Sequence, residues 1–150
     1  MKSLFNAADN QEMIRRVELL TAGSRPQWGK MGLDHMLIHA QRPLQVAFGE
    51  LKLKRSIAGF LFGSWARKKI ANGEEPFQKN LPTDKHFIVR NPDTVDEGKK
   101  RLISLIRRFA QGGPSAITRE PHPFFGKMTT QEWDTLMWKH LDHHLRQFGV

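Results

Sequence analysis

The stretch that decides the fold is TTQEWDTLMWKHLDHHLRQF, residues 129–148. It opens with Thr129 and Glu132, which have the spacing of a capping box, where two side chains satisfy free N–H groups at a helix start. Apolar and histidine side chains then recur every three or four residues, and one helical face collects Trp133, Met137, His140, His144 and Gln147. The pattern predicts a helix over residues 130–148.

Four more segments have apolar residues at helical intervals and predict helices at residues 9–21, 32–49, 55–72 and 94–111. Asp9 and Thr94 each precede a glutamate by three residues, which is the capping-box spacing, and Ser56 is a candidate cap for the third helix. Pro43 lies within the second segment and predicts a bend or an interruption there, because proline lacks a backbone donor.

Strand signals are almost absent, and only residues 87–89 offer a short extended piece. Four long amphipathic helices, with two long loops at residues 73–92 and 112–128, are typical of an all-α protein. We therefore expect a four-helix bundle with long connecting loops and a possible extra short helix. The absence of repeats, low-complexity tracts and linkers predicts a single domain over residues 1–150.

The composition restricts the chemistry. The 150 residues include no cysteine, no tyrosine and seven histidines, which excludes disulfides, thiol nucleophiles and thiolate metal sites. Any enzymatic proton transfer then falls to histidines and carboxylates. No apolar run reaches the ~18–20 residues of a membrane span, and the N-terminus lacks a signal-peptide core, so we expect a cytoplasmic protein without membrane association.

The net charge of +9 makes a nucleic-acid or polyanion partner one interpretation. The basic residues are dispersed, however, and their densest groups lie on or beside predicted helices, as solvated helix faces do: residues 52–55, 67–69, 99–101 and 107–108. We therefore favour a small anionic substrate, drawn by the basic surface, over nucleic acid as the partner.

Two histidine pairs have the i, i+4 spacing that places both side chains on one helical face: His35 with His39, and His140 with His144. Random placement of seven histidines would give only ~0.3 such pairs. Imidazoles that point into a core must satisfy both ring nitrogens, and two of them one turn apart can do so by sharing a divalent metal. For each histidine alone, a satisfied core residue is the alternative.

A single helix supplies only some of the ligands of a metal, so a further ligand must come from a facing helix. His39, flanked by Met36 and Ala40 on an apolar helix, is the best candidate. His35, on the same helical face, is the alternative.

The run from His140 to Gly149 resembles the last helix of the DinB/YfiT-like metalloenzymes, in which an H-x-x-x-H-x-x-Q helix supplies two metal ligands and the second helix supplies a third. Three further segments are similar to a small bacterial branch of that superfamily with uncharacterised function: Trp28-Gly29-Lys30-Met31, Met36-Leu37-Ile38-His39 and His122-Pro123-Phe124-Phe125-Gly126. The resemblance spans nearly the whole chain. It implies a four-helix bundle, a metal held by His39, His140 and His144, and relatives that act with low-molecular-weight thiols.

Three histidines around one divalent ion leave positions open for water or substrate, which is typical of a catalytic site. Zn²⁺ or Ni²⁺ suits these ligands. The candidates for a general base are His35 and His122, the latter if its loop folds over the site. A structural loop plug is the alternative for His122, and Gln147 either supports His144 or simply packs.

Three functions are therefore open. The first is a metal-dependent enzyme that acts on a small, anionic or thiol-conjugated substrate by transferase, isomerase or hydrolase chemistry. The second is a helical module that binds nucleic acid or another polyanion. The third is a non-catalytic bundle, a possible homodimer, that the metal only stabilises.

Overall fold

The computed structural model describes residues 2–72, 77–80 and 87–150. Five α-helices make up most of this part of the chain: α1 (Ala7–Leu19), α2 (Leu33–Ala47), α3 (Ile57–Asn72), α4 (Val95–Gly112) and α5 (Thr130–Gln147). A short 3₁₀ helix, Gly113–Ala116, follows α4, and no β-strand occurs in the described ranges. The prediction of an all-α protein is confirmed.

Four of the helices surround one core. Both α1 and α2 pack on α4, α5 packs on α1 and α2, and α3 lies outside this ring against α5. The inward faces bury a continuous apolar cluster, whose largest fully buried side chains include Met36, Phe109, Trp133 and Met137. This arrangement agrees with the predicted helical bundle.

The capping residues are as predicted at two helices and different at a third. Thr129 forms the complete capping box of α5, and Thr94 caps α4. The predicted box at Asp9 is wrong, because α1 begins earlier and its cap is Asn6, whose side chain accepts hydrogen bonds from two N–H groups of the first turn. Asp9 lies inside that first turn instead, where a negative charge favours the helix N-terminus.

Proline does not interrupt α2. The helix continues through Pro43 to Ala47, so the predicted interruption is wrong. Pro43 lacks the N–H that would bond to the carbonyl of His39, four residues earlier. The apolar face of α2 is buried on both sides of this position, and such packing is what holds most helices of proteins together.

The packing of α2 against α5 brings the histidines together. His39 lies on the buried face of α2, and His144 lies on the buried face of α5, one turn beyond His140. Both faces are anchored by apolar side chains, among them Met36, Leu37, Ala40, Trp133, Met137 and Leu141. Residues about a hundred positions apart in the sequence therefore meet at one place in the bundle.

The long loops are only partly described. Residues 73–76 and 81–86 of the first predicted loop lie outside the described residues, and residues 87–89 form no strand. In the second loop, His122 and Gly126 form an isolated antiparallel bridge through two backbone hydrogen bonds. This bridge closes a tight turn, which packs against α3 through its Phe124 backbone.

In the part of the chain that the structure describes, no helix combines the length and the apolar character that crossing a bilayer demands. The longest helices, α4 and α5, have 18 residues each and carry several charged side chains.

Candidate metal centre

Three histidines from two helices converge at the edge of the core. One ring nitrogen from each of His39, His140 and His144 lies within 4.8 Å of the other two. The Nε2 atoms of His39 and His140 are 3.1 Å apart. His39 and His144 are buried whereas His140 is partly exposed, so the cluster lies between the core and the surface.

Hydrogen bonds fix the orientation of two of the three rings. His39 directs its Nδ1 at the carbonyl oxygen of Phe87, at 3.3 Å, and His144 directs its Nδ1 at the Gln147 Oε1, at 2.9 Å. Since both partners only accept, each Nδ1 carries the proton and each Nε2 keeps a free lone pair. Metal-binding histidines in proteins are oriented in the same way.

The third ring completes the pattern. Because the His39 Nε2 carries no proton, the 3.1 Å contact with His140 requires that the His140 Nε2 donates. The proton on the His140 Nε2 therefore lies between two ring nitrogens at the point where the three histidines converge. A divalent cation in place of this proton would bind a lone pair from each of the three rings. The three imidazoles therefore fit a metal.

The spacing of the nitrogens can be compared with that of a metal site. Metal–nitrogen bonds of ~2.0–2.1 Å in a tetrahedron place ligand nitrogens ~3.3–3.4 Å apart. The distance of 3.1 Å between the Nε2 atoms of His39 and His140 is close to this value. The upper limit of 4.8 Å for the nitrogen–nitrogen distances in the cluster is larger than this value. A side-chain movement of ~1 Å would close the difference.

Burial keeps the cluster uncharged. Desolvation first and the proximity of His39 second lower the pKa of His144 from 6.5 to about 3. The pKa of His140 lies well below its ordinary value, first through burial and then because a proton there would be repelled by any proton on the nearby His144 and His39. Burial also lowers the pKa of His39, against the opposing effect of the Phe87 carbonyl. All three histidines are neutral at pH 7, as metal binding requires.

Gln147 connects His144 to the loop before α2. Its Oε1 accepts from His144, and its Nε2 donates to the Trp28 carbonyl at 2.8 Å. The two bonds fix which way the amide faces, and the amide in turn fixes the protonated nitrogen of His144. The contact between Gln147 and His144 agrees with the supporting role, and its role behind a metal ligand stays a prediction.

The loop that receives Gln147 depends on a glycine. Gly29 has a φ of +77°, a conformation that side chains rarely adopt, and a Cβ there would lie 3.0 Å from the Gln147 Nε2. Glycine at position 29 therefore lets the Trp28 carbonyl approach the Gln147 side-chain amide closely.

A further histidine and a cation border the cluster. The His143 ring lies 5.0 Å from that of His144 and packs on Trp28 and Phe77. The Lys79 ammonium lies 4.3 Å from the Trp28 ring centroid. Burial lowers the pKa of His143, so this ring too is neutral at pH 7.

The sequence matches one family model. The model of a protein family of unknown function, DUF1569, matches residues 50–149. The chain belongs to the DUF1569 family. The matched part contains His140, His144 and Gln147, whereas His39 and Trp28 precede it. No curated protein and no solved structure matches the chain.

This membership corrects the resemblance drawn from the sequence. The assignment to the DinB/YfiT-like metalloenzymes is wrong, because DUF1569 is a distinct family and the comparisons provide no link between the two. The thiol chemistry implied by that resemblance therefore loses its basis. The convergence of the three histidines stands independently, since it rests on their positions.

The structure places both candidate general bases in local contacts. His35 lies in the first turn of α2, half-exposed, with its Nδ1 2.9 Å from the Asp34 carboxylate. His122 is buried, and its Nδ1 accepts from the N–H groups of Phe124 and Phe125. Such contacts within the loop agree with the structural role that was the alternative to a catalytic role for His122. The catalytic roles of both histidines stay predictions.

Proposed function

We propose that the chain is a metal-dependent enzyme whose centre is formed by His39, His140 and His144. The observation that supports this most is the convergence of three neutral imidazoles, two of them held by Nδ1 hydrogen bonds that leave Nε2 free. A core histidine needs partners for both nitrogens, and a shared cation provides them for all three rings.

The ligand set favours Zn²⁺ or Ni²⁺. Imidazole nitrogens suit both ions, and the chain has no thiolate to select a softer metal. When bound, the ion would supply Lewis-acid chemistry by polarising a carbonyl group or by acidifying a water molecule. We propose one ion per chain, because the described residues contain one cluster of this kind.

Three ligands favour a catalytic role over a structural one. Structural zinc sites commonly close their shell with four protein ligands, whereas catalytic sites keep one position for water or substrate. Among the described residues, the cluster has three members and no carboxylate. Neutral ligands leave the charge of a divalent ion uncompensated, so we propose a small anionic substrate.

The neighbouring residues support an anion. Lys79 packs on Trp28, whose carbonyl holds the Gln147 amide, and thus brings a cation near the cluster. His143, neutral at pH 7, offers an imidazole that could take up a proton beside His144. We propose that Lys79 attracts the substrate and that His143 exchanges protons with it. A thiol-conjugated substrate is not proposed.

Cobalt substitution tests the open position. Protein loaded with Co²⁺ should show a visible spectrum that changes when phosphate or acetate is added. Lys79→Gln should weaken the anion response about two- to fivefold, as expected for loss of one exposed charge. Lys100→Gln, an exposed lysine of α4, is the matched control and should leave it unchanged. A spectrum that no anion alters would favour a structural metal site and contradict the enzymatic proposal.

A further inference from the structure

Helix α3 carries its large apolar side chains on the outside. Five of them expose between 60 % and 83 % of their surface to solvent: Ile57, Phe60, Leu61, Phe62 and Trp65. In an ordinary surface helix such side chains would face the core. Contiguous apolar exposure of this kind marks an interaction surface.

The opposite side of α3 explains this orientation. Gly59 and Gly63 lie on the buried side, and a Cβ at Gly59 would come within 2.7 Å of the Phe124 backbone. At Gly63 a Cβ would overlap the Phe124 carbonyl oxygen. Arg67 also attaches this side of α3 to the rest of the protein, because it donates a hydrogen bond to the Lys127 carbonyl and forms an ion pair with Glu132. Because only glycine fits against the 122–126 turn, the larger residues are turned outward.

Basic residues flank the apolar surface at both ends. Residues 51–72 contain no acidic residue, and their exposed cations are Lys52, Lys54, Arg55, Lys68 and Lys69. Arg55 lies 5.3 Å from the Phe60 ring centroid, and Lys69 lies 5.7 Å from that of Trp65. The cations thus lie directly beside the exposed rings. Tryptophan, large apolar residues and flanking cations are the features of helices that lie in a membrane interface.

We propose that α3 is a membrane-binding helix, which lies on an anionic lipid surface with Ile57, Leu61 and Trp65 inserted between the headgroups. Charge complementarity identifies the lipid, because the basic ends of the helix require a negative partner. Anionic lipids offer negative headgroups next to an apolar layer that can receive the exposed side chains. A second copy of the chain fits poorly, because two such surfaces would bring like charges together.

Surface binding does not conflict with the finding that no helix among the described residues can span a membrane. A membrane span needs ~20 apolar residues, whereas an interfacial helix inserts only its apolar side and leaves its cations at the headgroups. The expectation of no membrane association rested on the missing span. The orientation of α3, which depends on the packing of Gly59 and Gly63, was not visible in the sequence.

Vesicle binding by the full chain tests the proposal. We expect sedimentation with vesicles of phosphatidylcholine and phosphatidylserine, and little with phosphatidylcholine alone. Leu61→Gln should weaken binding about tenfold through lost insertion. Leu19→Gln is the matched control, since Leu19 and Leu61 are both 65 % exposed and Leu19 lies on α1. Circular dichroism should show that both exposed substitutions leave the fold intact.

Two double variants that remove the same charge at different places test how charge contributes to vesicle binding. Lys68→Gln with Lys69→Gln should weaken binding about 30-fold, at about fivefold for each cation near the membrane. Lys100→Gln with Arg107→Gln removes the same charge from exposed positions of α4 and should have a much smaller effect. Equal effects of the two pairs would contradict the proposal, because the net charge would then suffice.

Tryptophan fluorescence reports insertion directly. Vesicles should shift the emission of the wild-type protein to shorter wavelength, and Trp65→Phe should abolish the shift while keeping most of the binding, since phenylalanine also inserts. Absence of vesicle binding would overturn the proposal. So would a dimer in analytical ultracentrifugation that Leu61→Gln dissociates, because the apolar surface would then join two copies of the chain.

Discussion

Acid should destabilise the metal-free protein through the histidine cluster. His144 is held neutral in the folded chain, with its pKa lowered to about 3, whereas in the unfolded chain it returns to its ordinary value of 6.5. Below pH 6.5 the unfolded state therefore binds a proton that the folded state refuses. The stabilising effect of the neutral imidazole is present above pH 6.5 and is lost progressively as the pH falls toward 3.

The magnitude follows from the size of the pKa shift. Each pH unit between these limits costs about 1.4 kcal/mol of unfolding free energy for one such group, so His144 alone costs about 2–3 kcal/mol from pH 6.5 to pH 4.5. His39 and His140, whose pKa values are also lowered by burial, add to the loss. Against a typical total of about 5–15 kcal/mol, this is a large fraction of the stability of the protein.

The assay is urea unfolding from pH 7 to pH 4.5 in the presence of a chelator. His144→Asn keeps an amide N–H for the Gln147 acceptor and removes the titrating ring, so the pH slope should fall by about 1.4 kcal/mol per unit. Equal slopes for wild type and His144→Asn would refute the account of the cluster.

Three further outcomes are expected. Gln147→Met removes the acceptor that orients His144 and should weaken zinc binding about 10- to 100-fold in calorimetry, with little change if the amide only packs. Gly63→Ala should cost about 1–3 kcal/mol in urea unfolding, because its Cβ overlaps the Phe124 carbonyl. Ser64→Ala, exposed on the same helix, is the control and should change stability by less than about 0.5 kcal/mol. Zinc at 100-fold over its Kd should stabilise the protein by about 2.7 kcal/mol, and chelator should reverse this; an unchanged Tm would contradict it.

The helical architecture could be predicted because local signals and tertiary packing agree. The capping residues Thr94 and Thr129 precede amphipathic segments, and both helices start there. Asn6 and Pro43 show where local reasoning fails. Several side chains can cap a helix within one short stretch, and only the folded chain decides among them. Buried packing on α2 sustains a helix that proline alone would break.

The convergence of the three histidines was predictable from the sequence, and of the groups that orient them only Gln147 was a candidate. His140 and His144 share a face by spacing alone, and His39 was the favoured partner from an apolar helix. The other groups that orient them are the backbone carbonyls of Phe87 and Trp28, and no sequence pattern reports where a carbonyl points. The Trp28-Gly29 pair entered only through the family resemblance, and nothing in the sequence indicated its contact with Gln147.

The central claim is that His39, His140 and His144 hold a divalent metal, and stoichiometric metal binding tests it most directly. Untagged protein, stripped of metal and titrated with Zn²⁺ or Ni²⁺, should bind one ion per chain. The double variant His140→Ala with His144→Ala should bind none, while His35→Ala should bind as the wild type does. A wild-type chain that binds neither ion, or a double variant that binds as well as the wild type, would contradict the claim.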